Sequence, residues 1–229
     1  MRPLACLLLA LASLGGALAA CGGSSSGSGP KSASGAHVLF LQAEGQVLTP
    51  GLDDPSTGTS QLVSGTTTLP AYRAGDAARA AKLQAIVDEV KAVLAPYDVL
   101  VTTARPASGG FDLVVLGGAS TQAGLPAGVL GAAPVDCSGA RPHHVGLVFD
   151  AATGHDAARQ VVGALGLGHA VPASTDAGDC MCVADAKCTA LSQACTIGGP
   201  GTTVDVNSGC GLTTVDEGGR FLAAFGAHP

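Results

Sequence analysis

The stretch HDAARQVVGALGLGH, residues 155–169, decides how this chain is read. From His155 to Leu167 it runs without proline through alanine, valine and leucine, which predicts a helix; Thr153 or Asp156 can cap its first turn. Just before it, Val145 to Phe149 is an apolar run of strand length, approached through Cys137 and Pro142. The same order occurs earlier in the chain. His37 to Leu41 is apolar and bounded by Gly35 and Gly45, as a buried strand requires. Asp76 then precedes Ala77 to Ala95, where Ala80, Leu83, Ile86, Val87, Val90 and Leu94 recur at helical spacing until Pro96 stops the run. Asp98 to Thr103 and Phe111 to Leu116 read as two more strands, separated by Pro106 and Gly109-Gly110. Thr49 to Pro70, rich in Thr, Ser, Gly and Pro, reads as loop and edge structure, and Asp216 to Phe225 as a short terminal helix. The sum predicts a mixed α/β (α+β) domain over residues 37–229, with a mixed sheet, two main helices and an irregular, disulfide-rich C-terminal part.

The residues ahead of this domain are of a different kind. Arg2 gives a positive start, Leu4 to Leu14 form a short apolar run, and Leu18-Ala19-Ala20 precede Cys21. That is the pattern of a signal peptide over residues 1–20 with small residues at its cleavage site. The run is too short for the ~20 residues that cross a bilayer. Leu-Ala-Ala-Cys resembles the lipobox of bacterial lipoproteins, which implies a diacylglyceryl group on Cys21 and attachment of the mature chain to a membrane. Residues 21–36, opening Cys-Gly-Gly-Ser-Ser-Ser-Gly, have almost nothing to bury and read as a flexible tether. Gly22 rather than aspartate after the cysteine points, by analogy with enteric bacteria, to the outer membrane of the cell envelope. The net charge of −6 and the 12% content of charged residues argue against a nucleic-acid partner, which needs a basic surface. With no tryptophan and abundant Ala, Val, Leu and Gly, the core must be aliphatic.

Of eight cysteines, Cys6 lies in the signal and Cys21 at the lipid, leaving Cys137, Cys180, Cys182, Cys188, Cys195 and Cys210. An even number in an exported chain predicts disulfides, and Cys-x-Cys is not the usual spacing of a zinc-thiolate site. Cys180 and Cys182 are too close in sequence for a relaxed bridge to each other, so each needs another partner. Cys188 with Cys195 makes the best local pair.

Around the opening stretch, a family pattern emerges. Arg159 to His169 resembles the zinc-binding helix of the metzincin metallopeptidases, HExxHxxGxxH. In that motif two histidines one helical turn apart share a face, a glycine lets the helix end sharply, and a third histidine folds back onto the metal. Gly166 and His169 fall on the glycine and the third histidine. Arg159 and Gly163 fall on the first two histidines, and Gln160 on the glutamate that acts as general base. Metzincins also place a methionine turn beneath the metal, and Met181, the only methionine besides the initiator, lies at the corresponding place between Cys180 and Cys182. The upstream order, with a long helix, Pro96-Tyr97-Asp98-Val99 and Phe111-Asp112-Leu113-Val114-Val115, is similar as well. The likeness extends from His37 to Phe225, although only Arg159 to Cys182 carries motif residues.

What the resemblance implies is a dismantled site. Arg159, Gly163 and His169 are vestiges of three ligands of which one survives, arginine keeps its charge, and Gln160 cannot take a proton from water. The expectation is therefore a pseudopeptidase without a cofactor. It would act in binding or envelope structure, with a groove beside the helix able to accept a peptide or protein segment as an added strand. Two other readings stay open: a working zinc peptidase with an atypical site using His169 and other groups, and a plain envelope lipoprotein without ligand. His143-His144 and His155 read as surface or edge positions, and Asp53-Asp54 as a solvated acidic pair lacking the other oxygens of a calcium site. No Gly-x-Ser-x-Gly elbow or phosphate loop is present, and Gly117-Gly118 is too little for a dinucleotide fingerprint.

Overall fold

The computed structural model describes residues 36–107, 110–183, 188–205 and 210–229. The expected signal peptide, the expected lipidation site Cys21 and the expected tether up to residue 35 lie outside these described residues. The elements in chain order are β1 (His37–Gln42), β2 (Gln46–Pro50), β3 (Thr59–Ser60), β4 (Thr67–Leu69), α1 (Arg79–Leu94), β5 (Val99–Thr102) and β6 (Asp112–Leu116). There follow β7 (Gly131–Ala132), β8 (Val145–Val148), α2 (His155–Gly168), β9 (Thr202–Thr203), β10 (Thr214–Val215) and α3 (Glu217–Phe225). The domain is mixed α/β, as its sequence pattern predicts. Among the described residues no helix is long and apolar enough to cross a membrane.

The main sheet has the order β5-β1-β6-β8-β7. Its first four strands are parallel, and β7 runs antiparallel along β8 as the edge. A sheet of this kind is covered on both faces, so its central strands are apolar at nearly every position. β6 is buried at all of its residues. Leu39, Leu41, Val114, Leu116 and Val148 turn to one face, where Ile86, Val90 and Leu94 of α1 and Val161, Val162 and Leu165 of α2 cover them. Phe40, Leu113, Val115, Val145 and Leu147 turn to the other, beneath Leu48 and Leu69 of the small sheet β3-β2-β4. The Thr49–Pro70 region thus contributes edge structure that closes the second face.

α1 ends before Pro96, as expected, and Asp76 accepts a hydrogen bond from the Ala78 amide at 2.8 Å. α2 departs from the expected capping. Its N-cap is Gly154, with no side-chain cap, and Asp156 instead turns its carboxylate to Arg159 and the Leu191 amide. Every residue of α2 from Ala157 to Gly168 is buried, so the helix is enclosed on all sides. Its glycines make that enclosure possible. A Cβ on Gly166 would stand 2.5 Å from the Met181 sulfur, and one on Gly163 would stand 2.3 Å from a Val183 methyl. Gly166 therefore does not end the helix. It admits Met181, and α2 continues to Gly168 before the chain turns at Ala170, whose φ is 63°.

All six cysteines of the domain are bridged, as Cys180–Cys195, Cys182–Cys188 and Cys137–Cys210. The expected Cys188–Cys195 bridge is not formed. Asp179 folds its carboxylate onto the Met181 amide at 2.7 Å and makes a tight turn. That turn sends Cys180 toward Cys195 and leaves the neighbouring Cys182 for Cys188. α3 is capped by Asp216, which accepts from the Gly219 amide at 2.9 Å.

Candidate functional site

Two groups of residues flank α2, and the sequence pattern assigned them to one site. The first is the face carrying Arg159, Gln160 and Gly163. Arg159 is 1% exposed. Its guanidinium donates to Asp156 at 2.8 Å and to the Thr189 carbonyl at 3.1 Å, with the Cys188 carbonyl at 3.5 Å. It ties the Cys182–Cys188 loop to the helix. Burial lowers the pKa of this guanidinium, and the charge of Asp156 opposes the shift. Gly163 lies under Val183 and the Cys180 carbonyl, which would be 3.2 Å from an added Cβ. A zinc ion does not fit on this face: the buried guanidinium of Arg159 stands at the position aligned with the motif's first histidine, and Val183 and the Cys180 carbonyl cover the one aligned with the second.

Gln160 turns from this closed face toward the sheet edge. A Cβ on Gly131 would meet its Oε1 at 2.6 Å, so the carboxamide lies against β7. A cavity of about 290 Å³ opens there, bounded by Gly131 to Ala133 of the edge, by Gln160, Ala164 and Leu167 of the helix, and by Val183 and Asp205. Among the described residues, the outer side of β7 has no neighbouring strand in the sheet. Because the Phe149 amide donates to the Leu130 carbonyl, ladder alternation turns the amide and carbonyl of Gly131 outward, and the same alternation continued one residue past the strand would do so for Ala133.

The second group lies at the other end of α2, where His169 is the C-cap. His169 does not join Arg159 and Gly163, contrary to the motif alignment. Its Nε2 is 2.7 Å from Oδ2 of Asp112, and Nε2 of His37 is 2.5 Å from the same oxygen. The other Asp112 oxygen accepts from the His144 amide at 2.6 Å. Period-two alternation explains the meeting: Asp112 shares a face with Val114 and Leu116, His37 with Leu39 and Leu41, and the register pairs Leu39 with Asp112. Burial by itself would raise the Asp112 pKa, but hydrogen bonds from His169 and His37, with their charge, hold it well below the usual carboxylate range. Among the described residues, His37, Asp112 and His169 are the one His/Cys/Asp/Glu group whose donor atoms converge, all within 4.8 Å of one another.

The histidines expected at the surface take different places. His144 is 3% exposed and packs on Gly168, where a Cβ would meet its ring at 2.5 Å. Its Nδ1 faces Asp53 at 3.8 Å. Asp53 is not solvated as expected; it accepts from the Gln61 and Val145 amides and lies almost wholly buried. Asp54 caps a local turn through Ser56. His143 packs on Gly110, and His155 binds Glu89 of α1 at 2.7 Å.

A third feature lies beneath Met181. Glu217, fully buried at the start of α3, is pushed up to about 9 by burial and by the hydrogen bond and charge of Asp179, whose own pKa burial also raises. Glu217 accepts from the Gly198 amide at 3.1 Å and Asp179 from the Met181 amide at 2.7 Å, which sets the start of α3 against the turn that carries Met181. Sequence reasoning missed His37, Asp112 and Glu217. The available signals were an aspartate opening a wholly apolar strand and a histidine opening another. No known protein family and no curated protein matches this chain.

Proposed function

We propose that the chain is a lipid-anchored envelope protein whose domain is a degenerate, metzincin-like peptidase that binds an extended peptide along β7 and does not hydrolyse it. The observation that carries this reading is the cavity between the open edge of β7 and α2, with Gln160 lining it where the motif would place the general base. Met181, fully buried against Gly166, supports it as the counterpart of the methionine turn. The outward amides and carbonyls of Gly131 and Ala133 can pair with a peptide backbone, and the apolar cavity can take one of its side chains. Hydrolysis has no route on this face. Gln160 holds no basic lone pair for water, and Arg159 is committed to Asp156 and Thr189. The anchor is Cys21, and the tether lets the groove reach partners at the membrane surface.

Selection from a random peptide library on the purified protein tests the groove. Extended, apolar binders should emerge that lose at least tenfold in affinity in Ala133→Pro, which removes one outward amide, while circular dichroism is unchanged. Failure to recover binders, binders indifferent to Ala133→Pro, or chelator-sensitive cleavage of the peptides would refute the reading. For the anchor, Cys21→Ala should abolish lipid labelling and membrane recovery; a mutant that still fractionates with membranes at mature size would exclude it.

A further inference from the structure

The geometry points to a divalent-metal site of zinc chemistry formed by His37, Asp112 and His169, at the end of the sheet where the interior strands β1 and β6 begin. Two imidazole nitrogens and one carboxylate oxygen are a donor set that zinc takes readily, with a fourth position left for water. Both nitrogens aim at one oxygen, Oδ2 of Asp112, from opposite elements of the fold. Ligands of a tetrahedral zinc at ~2.0–2.1 Å stand about 3.3 Å apart. The present N–O separations of 2.5 and 2.7 Å therefore need to open by somewhat over half an ångström, within reach of small ring rotations.

The surroundings favour a cation over a bare hydrogen-bonded triad. The free oxygen of Asp112 is fixed by the His144 amide, which orients the carboxylate as ligating groups are usually held. Phe225 packs its ring 4.9 Å from both the His37 and His169 rings and shields one side from water. Behind His144, a second buried carboxylate, Asp53, stands 3.8 Å from the His144 Nδ1. His144 is buried, and neither of its ring nitrogens has a hydrogen-bond partner among the described residues. A metal here would staple the first strand after the tether, a central strand and the end of α2. The inference is independent of the peptide groove, because no residue is shared between them.

The test uses the purified mature protein, stripped with chelator and then titrated with Co²⁺ as a spectroscopic probe and with Zn²⁺. One equivalent of Co²⁺ should give visible bands of a low-coordinate N/O site, and Zn²⁺ should displace it. At a hundredfold excess over Kd, Zn²⁺ should raise the melting temperature by roughly 5–10 °C. His37→Asn, at a position only partly buried, and His169→Asn should each weaken binding at least 100-fold, while the exposed His228→Asn leaves it unchanged. Asp112→Asn should abolish it; if that variant fails to fold, His37→Asn still decides. Absence of a saturable cobalt spectrum together with no zinc-dependent shift would overturn the proposal, as would undiminished binding in His37→Asn and His169→Asn.

Discussion

Replacing Gly163 with alanine measures how firmly the helix is closed at the position aligned with the motif's second histidine. In an open helix interior, glycine to alanine stabilises by about 0.5–1 kcal/mol, because the unfolded chain loses freedom and helix propensity improves. At Gly163 the new methyl would lie 2.3 Å from the Val183 Cγ1 and 3.2 Å from the Cys180 carbonyl oxygen. The first distance is more than 1 Å, roughly, inside ordinary carbon contact. Val183 can give by rotation, but the carbonyl belongs to a cysteine bridged to Cys195 and has little room to retreat. Overpacking of this kind costs ~1–3 kcal/mol. The steric term outweighs propensity, and a net loss of about 1–2 kcal/mol should appear as a lower urea midpoint at unchanged slope. Gly218→Ala is the control. It lies in α3, where the added Cβ meets nothing nearer than 3.6 Å, and it should gain about 0.5–1 kcal/mol. Equal stabilisation by both substitutions would refute the closed-site argument. Reversion of the motif meets a further obstacle: Arg159→His, Gln160→Glu and Gly163→His together supply two imidazoles, while His169 remains with Asp112 and His37. The triple variant should therefore neither cleave peptides nor gain zinc on this face.

Arg159→Ala should cost about 3 kcal/mol, since it strands Asp156 and leaves two loop carbonyls without their donor; a loss below ~1 kcal/mol in urea unfolding would contradict the latch. Glu217 makes stability fall with rising pH between its ordinary value of 4.5 and about 9. In that window the unfolded chain has lost a proton that the folded chain keeps, so the slope is negative, up to ~1.4 kcal/mol per pH unit, and the contribution is gone above it. The stability difference between wild type and Glu217→Gln should thus change with pH across the window, and a constant difference would exclude a raised Glu217 pKa. Peptide mapping of the oxidised protein should return Cys137–Cys210, Cys180–Cys195 and Cys182–Cys188, with no thiol in the domain reacting after denaturation; a Cys188–Cys195 peptide would contradict the arrangement.

Helical spacing from Ala80 to Leu94 and the apolar runs at His37–Leu41, Phe111–Leu116 and Val145–Phe149 each became the element they predicted, because burying a repeating face is a local property of sequence. The oxidised state of the six cysteines was legible for the same reason that their pairing was not. Number and compartment bound the redox state, whereas pairing depends on where a turn points its side chains, and the Asp179 turn sets that. Histidine at 169 was recognised as special, but not its partners.

Those partners lie far along the chain, 57 residues back at Asp112 and, for His37 and Asp112, 75 residues from one another. Sequence by itself determined the mixed α/β class, the helix from His155 onward and the absence of histidine at positions 159 and 163. Only the tertiary structure decided that Arg159 latches a disulfide loop, that Gln160 lines an open strand edge, and that His169 meets His37 and Asp112. The reason is register. The β1–β6 pairing places His37 and Asp112 on one face, and α2 crossing that face brings His169 to them. Both depend on contacts between distant segments that no local pattern records.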